Sequence, residues 1–261
     1  MKIGIIGGSG VYDPGMLTNI KKVKLHTPYG ATSEIITSGK FENIDAFFIS
    51  RHGANHEINP TNVNYRANIW ALKELGVTHI LAPSAVGSLK EEYKPGDMVF
   101  TDQFIDKTTK RISTFYETGQ VAHVGIAEPT CPEMRNLLSK EAKKLGIPFH
   151  KSGTCVTIEG PRFSTKAESK MFRLLGGDII GMTMVPECVL AREAEMCYAT
   201  IAMVTDYDVW KEGEEVSNKK VLATMKKNVE NIKRILKAVI PEIAKLERKC
   251  FCKNAMKEAF M

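Results

Sequence analysis

The sequence predicts an α/β fold built on a central, largely parallel or mixed sheet, and three observations carry that expectation. Short apolar runs rich in Ile and Val alternate with stretches of helical periodicity along the chain. Polar residues and glycines gather where the apolar runs stop. No linker, internal repeat or composition shift divides the 261 residues, so one domain over residues 1–261 is expected.

The elements follow in order. Residues 2–6 form a short isoleucine-rich run, read as a buried strand, and Gly7-Gly8-Ser9-Gly10 ends it in a tight turn. Short strands are expected at 23–25 and 33–37, joined through Pro28-Tyr29-Gly30, and another at 46–50 delivers Arg51-His52-Gly53. Apolar residues at helical spacing predict a helix over 63–75, with Gly76 as its stop. A strand at 78–82 runs into Ser84-Ala85-Val86-Gly87-Ser88. Pro95-Gly96-Asp97 reads as a turn, with a strand at 98–101. Pro132 opens a helix that closes at Gly146. A strand at 154–158 leads to Glu159-Gly160-Pro161-Arg162-Phe163. Thr165 and Glu168 form a capping box for a helix to Leu175. A strand at 178–180 runs to Gly181-Met182-Thr183, Pro186 opens a helix to about Met196, and a strand at 199–205 ends at Asp206-Tyr207-Asp208. Val221, Leu222, Met225, Val229, Ile232, Leu236 and Val239 mark one face of a long amphipathic helix. Pro241 is expected to kink or divide it. A short lysine-rich tail follows Leu246.

Composition narrows the function classes. Hydrophobic residues make up 43% and charged residues 25%, an ordinary globular balance. The net charge of +6 is spread along the chain, without the basic, aromatic-interleaved cluster of a nucleic-acid binder. No apolar run is long enough to span a bilayer, and the N-terminal apolar run is too short for a signal peptide. A cytoplasmic protein binding neither nucleic acid nor membrane is expected. Scarce glutamine with plentiful Lys and Glu leans towards a thermophile. The six cysteines lack the CxxC or His-pair spacing of a zinc site, so no metal is expected. Cys250-Phe251-Cys252 reads as a redox pair or as an intracellular disulfide.

Ligands of α/β sheets sit beyond the carboxyl ends of strands, and five such ends carry polar groups. The first glycine loop superficially suits a dinucleotide, but no helical pattern follows it and no ribose-binding acid lies about 20 residues on. A small phosphate site, with Ser9 adding a hydroxyl, suits it better. Arg51 offers a planar fork for phosphate oxygens and His52 a further hydrogen bond. Ser84-Ala85 and Thr183 add donors, although hydroxyls at such places often only cap helices. Asp206 and Asp208 follow a buried strand. They serve a turn, or they form a carboxylate pair whose raised pKa lets one protonate a leaving group. Phe163 offers a face on which a base can stack. This set amounts to an anion clamp, a sugar platform and an acid. An NAD-binding or non-catalytic α/β domain is the reading from another class.

The stretches IGIIGGSGVYDP, RHGANH, NYRANIWALKELG, SAVGSL, PGDMVFTDQFID, TIEGPRFST, GMTMVPE and CYATIAMVTDYDVW resemble the methylthioadenosine phosphorylases, within the trimeric purine nucleoside phosphorylase family. The resemblance implies a phosphorylase fold with a mixed, partly barrel-like sheet flanked by helices. It implies phosphorolysis of 5′-methylthioadenosine, with adenosine and other purine nucleosides as further substrates. A 6-oxopurine nucleoside phosphorylase is the alternative within the fold. It places Ser9, Arg51, His52, Ser84, Ala85 and Thr183 around phosphate, Met182 at the ribose, and Phe163 and Gly181 at the base. Asp206 becomes the acid towards purine N7, and Asp208 its partner near the 6-amino group. His123, in AHVGIAEP, is similar to a residue that reaches across a subunit interface, which implies a trimer or a dimer of trimers. No cofactor is implied, since inorganic phosphate is a co-substrate. Likeness to archaeal thermophilic members implies disulfides, Cys131–Cys197 first and Cys250–Cys252 second, with Cys188 as an alternative partner for the tail.

Overall fold

A computed structural model of the chain describes residues 1–8, 11, 14–213 and 218–261. Within them, eleven strands join in one mixed sheet and five α-helices pack against it. The main path of the sheet runs β2 (Thr18–Val23), β3 (Ile36–Phe41), β4 (Ile44–Ser50), β1 (Lys2–Gly7), β5 (His79–Ser88), β10 (Ile179–Gly181), β9 (Thr154–Ile158) and β7 (Gln103–Lys107). β11 (Cys197–Asp206) pairs with β5 and with β6 (Met98–Val99), which in turn pairs with β8 (Phe149–His150). The helices are α1 (Tyr65–Glu74), α2 (Pro132–Lys144), α3 (Lys166–Leu174), α4 (Met184–Glu193) and α5 (Asn218–Ala244).

Both faces of the sheet are covered, which is why its central strands read as continuous apolar runs rather than alternating ones. On β11, Cys197, Ala199, Ile201 and Met203 pack with α2 and with Ile232, Leu236 and Val239 of α5. The intervening Tyr198, Ala202 and Val204 pack with α1 and α4. The period of two thus sorts one strand between two cores.

β5 is the hub. β11 lies parallel to it along its length. On the other edge β1 pairs parallel with residues 79–81, and β10 pairs antiparallel with 87–88. Residues 82–86 lie between these partners and have no strand neighbour on that edge among the described residues. Pro83, in this stretch, brings no N–H to be satisfied. The sheet forks here, and the fork opens the pocket.

Local signals are realised closely at the helices. Asn64 caps α1, its side chain accepting from the Ala67 N–H, and Gly76 follows at φ 78°. Pro132 stands at the first turn of α2. The Thr165–Glu168 capping box is present in both directions. In α4, Val185 is extended (φ −106°, ψ 131°), so regular helix begins at Pro186, as expected.

Several expectations need correction. The strands placed at 23–25 and 33–37 lie at Thr18–Val23 and Ile36–Phe41. β2 is polar and mostly exposed, so hydrophobic patterning cannot find it. β7 and β8 carry no buried run either. α5 is not divided at Pro241, which falls three residues before its end. The tail folds back, with a 3₁₀ turn at Phe251–Asn254 and a bridge between Ala122 and Phe260.

Candidate active site

A cavity of about 790 Å³ opens at the fork. Arg51, His52, Ser84, Ala85, Phe163, Gly181, Met182, Thr183, Asp206 and Asp208 all line it. Chain segments far apart in sequence therefore deliver the expected residues to one place. The expected position of Ser84-Ala85 at a strand end needs correction: both lie inside β5, within the stretch that β1 and β10 leave unpaired. Ser9 lies outside the described residues, and its neighbour Gly8 lines the cavity.

One end is built for an anion, though differently from the expected Arg51 fork. Arg51 is 2% exposed and spends its fork on Glu187, with Nε donating at 2.7 Å and Nη2 at 2.8 Å. Nη2 also donates to the Ile6 carbonyl and Nη1 to that of Pro83. Of five guanidinium hydrogens, one on Nη1 remains. Arg51 thus meets a ligand with a single N–H and a charge largely balanced by Glu187, which Tyr198 also hydrogen-bonds. Burial lowers the Arg51 pKa, but the Glu187 carboxylate outweighs this and the guanidinium stays charged.

His52 Nδ1 lies 2.9 Å from the Ile58 carbonyl, an acceptor only, so Nδ1 carries the hydrogen. Burial, with the Arg51 charge behind it, pushes the pKa down to about 4. The ring is therefore neutral at pH 7, and Nε2 accepts. A monohydrogen phosphate can donate its own O–H there. Thr183 lines the cavity just ahead of the regular part of α4, and its side chain makes no capping bond, so the hydroxyl can serve a ligand.

At the other end stand two carboxylates. Burial raises the pKa of Asp206, although Thr205 Oγ1 and the Asp208 N–H donate to its oxygens at 2.6 and 2.8 Å. Asp208 adopts φ 49°, a left-handed conformation that aspartate tolerates. Burial also raises its pKa, and the nearby Ser169 and Ser164 hydroxyls partly counter that. Its Oδ2 makes no hydrogen bond of full geometry. Asp208 therefore lines the cavity as a desolvated carboxylate near Ser164 and Ser169, beside Asp206, whose pKa burial also raises.

Met182 is seated against Gly160. Gly160 has φ 68°, a left-handed conformation that favours glycine, and a Cβ there would lie 2.6 Å from Met182 Sδ and displace that side chain. Arg111, which sequence reasoning passed over, ties this region together. Its side chain is 1% exposed and donates to the carbonyls of Ile158, Glu159, Met182 and Val185, and to Tyr65 Oη. Glu159 completes the ion pair at 3.3 Å. No local pattern marks Arg111, because its partners come from three other parts of the chain, at Tyr65, 158–159 and 182–185.

The amphipathic face of α5 also serves the site. Half-buried Val221, Met225 and Val229 line the cavity, whereas Ile232, Leu236 and Val239 enter the core. One apolar stripe does both jobs, and periodicity alone cannot separate them. His123 does not reach its own chain's cavity. It is exposed, and its N–H donates to the Ala259 carbonyl at 2.7 Å. After β1 comes a 3₁₀ turn and then β2; the first α-helix begins at Tyr65. Among the described residues no α-helix N-terminus follows the first glycine loop, which argues against the dinucleotide reading. No cysteine pair is bridged in this structure, where Cys197 Sγ and Cys250 Sγ lie 3.3 Å apart, and Cys188 lies in the core with α1 and α4.

This fold and pocket have close relatives. The Phosphorylase superfamily pattern matches residues 2–241. S-methyl-5′-thioadenosine phosphorylase of Thermofilum pendens is 56% identical over 261 residues, covering 100% of this chain and 99% of that one. A methylthioadenosine phosphorylase from an antarctic soil metagenomic library superposes with a TM-score of 0.95 at 46% identity, covering 99% of this chain and 92% of that one. A variant of the adenosine/methylthioadenosine phosphorylase of Schistosoma mansoni, in complex with methylthioadenosine, superposes with a TM-score of 0.92 at 40% identity, covering 98% and 96%. The chain belongs to the phosphorylase superfamily and, within it, to the S-methyl-5′-thioadenosine phosphorylase family.

Proposed function

We propose that the chain cleaves 5′-methylthioadenosine with inorganic phosphate, yielding adenine and 5-methylthioribose 1-phosphate. The observation that carries this reading is the carboxylate pair at the purine end. Burial raises the pKa of Asp206 towards the protonated form, and Asp208 beside it is a desolvated carboxylate acceptor set near the Ser164 and Ser169 hydroxyls. Such an acceptor matches the 6-amino group of adenine, whereas a 6-oxo group would meet it acceptor to acceptor. Relatives named for methylthioadenosine point the same way.

The chemistry follows from the two ends of the cavity. Phosphate rests among the Arg51 Nη1 hydrogen, His52 Nε2, the Thr183 hydroxyl and the unpaired backbone at Ser84-Ala85. Its oxygen forms a bond to C1′ as the C1′–N9 bond breaks. Positive charge builds on the ribose, and the adjacent dianion stabilises it. The bonding pair leaves with the purine, and the Asp206 proton passes to N7. Phe163 packs against the base, Gly181 leaves room beside it and Met182 lies against the ribose. Val221, Met225 and Val229 offer an apolar wall to the methylthio group. Two copies or more complete the site. Phe163 at the cavity is 48% exposed, and Leu174 and Leu175 at the end of α3 are 79% and 51% exposed, large apolar side chains suited to cover by a second copy. His123 on a neighbour then reaches the 5′ end, in a trimer or a dimer of trimers.

The test is product formation from methylthioadenosine, adenosine and inosine with and without phosphate. Phosphate-dependent release of adenine, fastest from methylthioadenosine, is expected. Equal rates without phosphate would indicate a hydrolase and overturn the reading.

A further inference from the structure

Four of the six cysteines meet in space although the sequence scatters them. Cys131 precedes α2, Cys197 opens β11, and Cys250 and Cys252 flank Phe251 in the tail. All four are buried, and their sulfurs lie within 4.8 Å of one another. The closest pair, Cys197 and Cys250, is 3.3 Å apart. We propose that this cluster is a structural tetrathiolate site for a zinc-class ion.

The donor set and shape fit. Zinc binds four thiolates tetrahedrally at about 2.3 Å, which sets neighbouring sulfurs about 3.8 Å apart. No carboxylate or open position intervenes, so the site is closed and structural rather than catalytic. Each thiol gives up its proton to solvent as the ion enters. Four thiolates around a divalent cation leave a net charge of −2, and the surroundings answer it. Arg248 Nε donates to Cys197 Sγ at 3.3 Å. His79, fully buried and cross-strand partner of Cys197, turns to that thiol a side chain whose Nε2 makes no full-geometry hydrogen bond to any other group. Such outer donors commonly steady metal-bound thiolates.

The ion would staple three parts of the chain. From Cys252 the tail runs on to Ala259, whose carbonyl holds the His123 N–H, and to Phe260, which bridges Ala122 and packs edge-on against Tyr116 at 5.2 Å. Fixing the tail therefore also fixes the segment that carries His123.

The experiment uses the full chain, produced in zinc-supplemented medium and purified under reductant without chelator. About one zinc per chain is expected by elemental analysis, released when a mercurial titrates the thiols. Protein produced with cobalt should show the intense visible absorption of tetrahedral cobalt thiolate. Cys252→Ser should lose at least about nine-tenths of the metal, while Cys188→Ser, outside the cluster, keeps it. Should Cys252→Ser not fold, the wild-type stoichiometry and the cobalt spectrum still decide. Wild-type protein below about one-tenth of an equivalent of metal overturns the proposal, whether mass spectrometry finds the four sulfurs as thiols or as two disulfides.

Discussion

Asp206 is a residue on which burial and hydrogen bonding pull in opposite directions, and burial wins. A group that must donate a proton works only while it holds one. Turnover of methylthioadenosine should therefore hold at low pH and fall as pH rises through the raised Asp206 pKa. Asp206→Asn should lower kcat by about 10²–10⁴-fold and abolish that descending limb. It should also move the kcat/KM ratio towards inosine; an unchanged profile would remove Asp206 from the chemistry. His52 gives a second pH signature, in stability. Its folded pKa of about 4 lies below the ordinary value of 6.5, so the unfolded chain takes up the proton first. Stability present above pH 6.5 is thus lost as pH falls towards 4. Denaturant melts across that window should show the slope, and His52→Gln should flatten it. Glu187 is legible only through Arg51. Glu187→Ala strands a buried guanidinium and should cost about 3–5 kcal/mol in the same melts.

At the scale of elements, α5 carries one apolar stripe with two functions. Met225 faces the cavity where the methylthio group would lie, so Met225→Ser should raise the KM for methylthioadenosine about tenfold and leave kcat nearly unchanged. The effect on adenosine, which lacks the thioether, should be smaller. An equal loss for both substrates would place the wall elsewhere. The Arg111 segment works by holding other elements together. Arg111→Met leaves four carbonyls and Glu159 without their shared donor and should destabilise by about 3 kcal/mol. Because Met182 loses its anchor, kcat should fall too, a split that thermal melts and steady-state kinetics read separately. Several helix ends were legible because caps are local chemistry: Pro132, Thr165 with Glu168, and Gly76 each act within a turn. β2 was displaced because a polar, exposed strand takes its place from its neighbour β3, not from its own side chains.

For the whole molecule, the forked sheet is the decisive feature. β5 holds β11 on one edge and shares the other between β1 and β10, so a pocket opens in the middle of the sheet. A trimer or dimer of trimers should appear by sedimentation at micromolar concentration, and Leu174→Glu, at an exposed apolar site, should weaken it. A monomer that turns over methylthioadenosine at full rate would remove the role of His123. The sequence by itself determined the alternation of strands and helices, several helix caps and the pocket's Arg51, His52, Ser84, Thr183, Asp206 and Asp208, though not its His56, Ser164, Thr205, Lys226 or Glu230. These rest on chemistry within a few residues: periodicity, capping, and glycine or carboxylate at the end of an apolar run. Only the tertiary structure decided that Arg51 is spent on Glu187, that Arg111 anchors Met182, that half of the α5 stripe faces the cavity and that four scattered cysteines converge. Each of these depends on partners from distant segments, and no local pattern in the sequence records which segments the fold brings together.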